Sequence, residues 1–390
     1  FGFIFTFFSS FGQSYFLGIF NSSIRETLSI THGQFGSIYA SATLCSSLLL
    51  IWVGKKIDDV NVFKFALFVI ILLSFACFFF SKVSSVLLLF IGIFLMRFSG
   101  QGMMSHTAST TISRYFTKTR GRALSINWIG LSSAEFTLPV LMVYLLTFID
   151  WQNLWLVFSI IVLIVLPIVS FLLIKNLNLD SREANDENIK QVEIKQWKRR
   201  EVIKDYRFYI ISLNMLAMPW IFSGFAVFQS FVQTSKGWGP YVIAQSFMSY
   251  AIFSVLTLFL SGFLIDKFSS RKLLIYMNIP LLLAAIILFF FDTPIIAFIF
   301  LGLVGSSNGF ANILGSSTWA ELYGVKYLGS IKALSTALMV FATAFGVALF
   351  GYLIDIGFTV GDIAVVSGIY IFISLILLFL VRKKLNPVII

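Results

Sequence analysis

Charge is what this sequence has least of. Asp, Glu, Lys and Arg make up 12% of its 390 residues, where a soluble domain carries about 25%. That shortage excludes an ordinary water-soluble fold. Its two cysteines, Cys45 and Cys77, both lie in apolar runs. They exclude a disulfide framework and read as small hydrophobes. Two histidines are too few for a clustered metal centre, so no metal and no cofactor is called for. With one carboxylate deep in an apolar segment, a membrane enzyme is excluded as well. The pattern Gly-x-x-x-x-Gly-Lys-Ser/Thr is absent, which excludes ATP drive through a phosphate loop in this chain.

What is abundant is apolar sequence, 58% of the residues. It falls in runs of about 20 residues, the length that crosses the hydrocarbon core as a helix. Alternating segments of about 10 residues, which would mark a membrane barrel, do not occur. The runs predict twelve spans at 1–22, 34–54, 62–81, 85–110, 122–147, 152–174, 208–232, 240–263, 272–291, 294–317, 332–354 and 361–382. The chain opens on Phe1 rather than methionine, so a preceding segment is expected.

The net charge of +11 does not point to nucleic acid, because the charges sit between the spans. Only Arg25, Lys82 and Lys236 fall in loops on one side, and Arg97 falls within a span. Every other Lys and Arg falls on the opposite side. Such a bias places the basic side and both termini in the cytoplasm, in a bacterial inner membrane. Residues 175–207 mix nine basic with seven acidic residues. They read as a linker with a surface helix at Val192–Lys204, and Lys198-Arg199-Arg200 could meet lipid head groups.

Across that linker the chain repeats itself. Gly54-Lys-Lys-Ile-Asp58 matches Gly262-Phe-Leu-Ile-Asp266, and Ala123-Leu-Ser125 matches Ala333-Leu-Ser335. The expectation is an all-α polytopic membrane protein of two pseudo-symmetric six-helix bundles, 1–174 and 208–390. Duplicated halves of this kind place a substrate site between them.

One stretch breaks the apolar pattern from inside. Arg97, His106 and Glu135 lie within spans four and five, joined by a basic turn holding Arg114 and Arg122. Charge at bilayer depth is costly and marks a functional site by default. At 1.5 Å per residue, Arg97 lies roughly 25 Å, Glu135 roughly 18 Å and His106 roughly 12 Å from the basic side. Glu135 could therefore pair with either. On a straight helix Arg97 and His106 fall on opposite faces. Arg97 is expected to face the cavity with Gln101, and His106 a neighbouring helix, with span five and Glu135 as candidates.

These features resemble the major facilitator superfamily, over the whole chain. The loop motif of that family is Gly-x-x-x-Asp-basic-x-Gly-basic-basic. The second copy here supplies Gly262, Asp266, Lys267, Arg271 and Lys272, with Ser269 where the second glycine stands. In the first copy Gly54 and Asp58 stand. Asp59 and Phe63 replace basic residues, and Asn61 replaces the glycine, a residue that tolerates left-handed backbone. Glycine at a span end would let another helix approach, and the aspartates would latch one face shut through charge-assisted contacts. The Gly100-Gln101-Gly102 run, the Arg120-Gly121-Arg122 turn and Trp319-Ala-Glu-Leu-Tyr-Gly324 are similar to the oxalate/formate exchangers and monocarboxylate carriers. The Gly-Pro-x-x-Gly-Gly signature of proton-driven drug exporters is missing from span five.

The resemblance implies a secondary transporter working by alternating access, with spans one, four, seven and ten lining the cavity. The expected cargo is a small organic anion such as a monocarboxylate, bound by Arg97 and moved with protons or by anion exchange. Glu135 and His106 are the candidate protonation sites. Gln13, Gln101, Asn214, Trp220, Asn308 and Asn312 are candidate walls. Ser307 and Ser316 stand at the repeat positions of Arg97 and His106, Glu321 and Lys332 are expected to pair across a loop, and His32 carries no expected role. The partners are the substrate, protons and the lipid bilayer, and a monomer is expected. A drug exporter of the same fold and a non-transporting receptor are the alternatives.

Overall fold

The computed structural model describes residues 1–57, 60–115, 120–174 and 195–387. In order, the helices are α1 (Gly2–Ser9), α2 (Ser14–Ile19), α3 (Asn21–Leu28), α4 (His32–Val53), α5 (Val62–Phe80), α6 (Val86–Met96), α7 (Ser105–Tyr115), α8 (Arg120–Leu145), α9 (Trp151–Ile174), α10 (Arg199–Val202), α11 (Tyr206–Val227), α12 (Gln229–Ser235), α13 (Val242–Phe268), α14 (Ser270–Met277), α15 (Ile279–Phe290), α16 (Ile295–Tyr323), α17 (Leu328–Asp355) and α18 (Val360–Val381). Among the described residues, eleven helical stretches are long and apolar enough to cross a bilayer. They coincide with the second to twelfth expected spans. The first span is broken into pieces and falls short by itself.

Caps fix where these helices start. Asn61 Oδ1 accepts from the Phe63 and Lys64 amides at the head of α5. Its φ is −54°, so it serves as a cap and does not take the left-handed backbone expected of a glycine substitute. Ser269 does take the glycine's place, with φ +71° and ψ +147° between α13 and α14. That region is close to glycine-only and costs about 1–3 kcal/mol for another residue.

The described chain divides into two compact units. One contains residues 1–186 together with 226–230 and 347–355. Its interior is aromatic. Phe11, Phe16 and Phe20 pack edge-on, tilted or stacked around Trp155 and Phe158, with Phe80 closing the cluster. So part of the phenylalanine excess seats α2 and the turns that flank it on α9, and many of the remaining rings face outward. Cys77 is buried and Cys45 exposed, and both are free.

The second unit contains residues 187–225, 231–346 and 356–390. The end of the linker belongs to its core. Val202, Phe208, Trp319, Tyr323 and Leu385 are fully or almost fully buried together, with Trp197 against them. Trp197 donates its amide to the Tyr323 carbonyl and meets that ring at 5.4 Å. Among the described residues of the expected surface helix, helix forms at Arg199–Val202 and not at 195–198, where Trp197 docks, and 192–194 lie outside the described residues. Half-exposed Glu201 accepts from the Lys198 amide and pairs with Lys195, contacts that hold its carboxyl below the usual range.

Candidate functional site

The site begins where a helix stops. After α1 the chain makes one 3-10 turn, Ser10–Gly12, and Gln13 is extended at ψ 151°. A break inside a membrane helix frees carbonyls that something must satisfy. Here the Gly12 carbonyl accepts from Arg97 Nη1 at 3.0 Å. The approach is close. A Cβ on Gly100 would stand 2.6 Å from the Gly12 nitrogen, and one on Gly12 would collide with Met96 O and Gln101 N. Only glycines allow the two strands of chain to cross there.

Arg97 itself begins a second irregularity. Residues Arg97–Met104 form a π-helix between α6 and α7. Such segments are rare and occur frequently at functional sites. The wider winding also changes the phase of everything after it. Arg97 lies over the Tyr39 ring of α4 at 5.3 Å. His106 Nε2 lies 3.0 Å from the carbonyl of Gly54, at the other end of the same span. Both residues therefore address span two. The expectation of opposite faces, and of His106 turned toward Glu135, assumed a straight α-helix that Gly100 and Gly102 do not make.

Arg97 is 3% exposed and Glu135 6%. Neither has an ion-pair partner among the described residues. Arg97 spends Nη1 on Gly12 and, more distantly, on Ser14 Oγ at 3.5 Å. Ser14 in turn meets Tyr39 Oη at 2.9 Å. The other edge of the guanidinium, Nε with Nη2, makes no hydrogen bond among the described residues, and Nε is fully buried. Glu135, on α8, likewise has no hydrogen-bonded partner there, although Tyr15 lies within its electrostatic reach. Gln13 and Gln101 flank the crossing, half-buried.

The second unit supplies the other candidate walls. Asn214, on α11, is fully buried with both amide atoms unpaired among the described residues, and its carbonyl accepts from Asn278. Trp220 packs edge-on to Tyr370 at 5.1 Å. Asn308 is already bonded to Ser254 Oγ at 2.9 Å, so it braces α16 on α13. Asn312 is exposed. Ser307 is buried with its hydroxyl unpaired among the described residues.

The loop-motif residues fare unevenly. Gly54 is buried against His106. Gly262 meets nothing within 4 Å of an added Cβ, so close helix approach is not its role. Arg271 Nη1 reaches Leu385 O and Asn386 Oδ1, binding the C-terminal tail within its own unit. Lys267 and Lys272 are exposed, with Lys267 over the Phe268 ring. Glu321 accepts from the Ser270 and Arg271 amides at the head of α14, so it serves as a helix cap. Asp58 and Asp59 lie outside the described residues, as do the side chains of Arg114, Arg122, Asp266 and Ser316.

His32 was given no role by the sequence, yet its amide donates to Asp355 at 3.1 Å. The missed signal is legible in retrospect. Gly351-Tyr-Leu-Ile-Asp355 repeats Gly262-Phe-Leu-Ile-Asp266 almost letter for letter.

A hydrophobic chain whose described residues are mostly helical, with irregular winding at a buried arginine, has the form of a membrane transporter. The family model for the Major Facilitator Superfamily matches residues 2–306, and the chain belongs to that family. Among solved structures it is similar to a bacterial homologue of the human lysosomal transporter Spinster, inward-facing and occupied. The TM-score is 0.74 at 14% identity, over 98% of this chain and 95% of that one. The unoccupied form of the same homologue gives 0.73 at 15%, over 98% and 96%. A mutant of the nucleoside transporter NupG gives 0.68 at 15%, over 98% of each chain. No curated protein sequence matches. Family and fold together make this an integral, multi-pass membrane transporter and not an enzyme.

Proposed function

We propose that the chain carries a small organic anion of the monocarboxylate kind across the membrane by alternating access. The observation that carries this reading is the free edge of Arg97. A buried guanidinium without a counter-charge is costly unless a partner arrives. Its Nε and Nη2 present two parallel donors, the geometry that a carboxylate fills bidentately. The Tyr39 ring against the guanidinium, with Gln13 and Gln101 beside the crossing, would fix the rest of a small ligand.

Glu135 is the proposed carrier of the coupling proton. It is buried without a hydrogen-bonded partner among the described residues, and an ionisable group at bilayer depth marks a functional site by default. His106, held on the Gly54 carbonyl, is at most an accessory. The basic-residue bias orients both termini and the linker toward the cytoplasm, so α4 begins on the outer side.

Uptake into proteoliposomes tests the proposal. Radiolabelled monocarboxylates should accumulate when the inside is made alkaline, and excess unlabelled acid should compete. Accumulation of neutral or cationic compounds alone would refute it.

A further inference from the structure

Half of the opening donors of α4 are satisfied by a residue of another helix. The opening turn of any helix leaves four backbone N–H groups without intrahelical partners. At α4 a capping box satisfies two of them, with Thr31 Oγ1 accepting from the Gln34 amide and Gln34 Oε1 from the Thr31 amide. The remaining two, from His32 and Gly33, donate to Asp355 at 3.1 and 2.8 Å. Thr31 Oγ1 donates to the same carboxylate at 2.6 Å. Asp355 is the last residue of α17, more than three hundred positions away. A carboxylate on a helix N-terminus gains from the dipole as well as from the bonds.

The helices are shaped for this meeting. A Cβ on Gly36 would stand 2.7 Å from Val347 O, and one on Gly351 would collide with His32 O. Residues 347–355 accordingly fall in the first unit with α4. The segment 226–230 is held in the same unit by Gln229 Nε2 on the Tyr15 carbonyl at 2.7 Å. A pocket of about 470 Å³, lined by Thr31, Gln34, Ser37, Tyr352 and Asp355 among others, opens beside the contact. Solvent can therefore replace the carboxylate when it leaves.

We infer that Asp355 is the catch of an outer gate. The Gly351-x-x-x-Asp355 segment of α17 closes on the N-terminus of α4, and opening to the outside requires the carboxylate to let go of His32, Gly33 and Thr31. This rests on the alternating-access reading and the orientation above, but not on the identity of the cargo.

The test reads accessibility and needs no substrate. In a background with Cys45 and Cys77 replaced by alanine, Thr43→Cys places a thiol on the buried face of α4. A membrane-impermeant thiol reagent is applied to intact cells and, separately, to inside-out vesicles. Asp355→Asn should raise labelling from the outside roughly ten-fold, as expected for losing one charge-assisted hydrogen bond. Thr31→Val should raise it less, and it carries the test if Asp355→Asn does not fold. A control thiol from Ser74→Cys, buried between α5 and α9, should not respond. Unchanged labelling in both variants overturns the proposal. So does a rise only from the inside, or an equal rise at the control position.

Discussion

Replacing Arg97 by lysine separates the two duties of that residue. Lysine keeps the positive charge and a donor for the Gly12 carbonyl, at present 3.0 Å from Nη1. It cannot keep the second edge, where Nε and Nη2 are unpaired among the described residues. A carboxylate ligand would lose at least one charge-assisted hydrogen bond, about 1.5–3 kcal/mol. That is a weakening of roughly 10- to 100-fold. Arg97→Ala would also strip the Gly12 carbonyl of its partner inside the membrane, a further 1–3 kcal/mol or so against the fold. The assay is ligand affinity by calorimetry in detergent, alongside the melting temperature without ligand. Arg97→Lys should melt near the wild type and bind poorly, whereas Arg97→Ala should fail on both counts. Unchanged affinity in a stable Arg97→Lys protein would refute the hook and leave Arg97 as a pin across the break in span one.

Three other outcomes follow from the same geometry. Glu135→Gln should abolish accumulation driven by a pH gradient while substrate exchange persists, and gradient-driven uptake with its pH dependence intact would exclude Glu135 as the proton carrier. Ser269→Gly should raise the melting temperature, because it relieves a backbone conformation costing about 1–3 kcal/mol for serine; a fall would mean the hydroxyl matters more than the strain. Trp197→Ala should weaken docking of the linker end by about 2 kcal/mol, seen as faster tryptic cleavage at Lys195 and Lys198 with the rest of the chain intact.

The span map and the family were legible because they depend on properties that sum over many residues. Length, hydropathy and loop charge need no knowledge of tertiary contact. The site was legible only as composition. Arg97 and Glu135 stood out by cost, since charge inside an apolar run has few cheap explanations. Their surroundings were hidden for two physical reasons. The first is phase. A π-helical segment after Arg97 winds more slowly than 3.6 residues per turn allows, so His106 arrives against Gly54 instead of Glu135. Gly100 and Gly102 hinted at irregular winding but did not say which kind. The second is distance along the chain. The partner of Arg97 is a carbonyl of Gly12, and the cap of α4 is Asp355. No local pattern predicts a backbone carbonyl far along the chain or a carboxylate acceptor more than three hundred residues away. Asn61 shows the opposite failure. Its role is entirely local, a helix cap, at a position where the loop motif has glycine. Ser269 filled the glycine's position in the second copy instead, at the strain expected of it.

In the proposed mechanism the edge of Arg97 that is unpaired among the described residues awaits a carboxylate. Thermal-shift measurement of the purified protein against matched pairs, each carboxylic acid beside its own amide, tests it most directly. The acids should raise the melting temperature of the wild type and their amides should not, and Arg97→Lys should erase the difference. Stabilisation by the amides equal to that by the acids, or by cationic compounds alone, would contradict it.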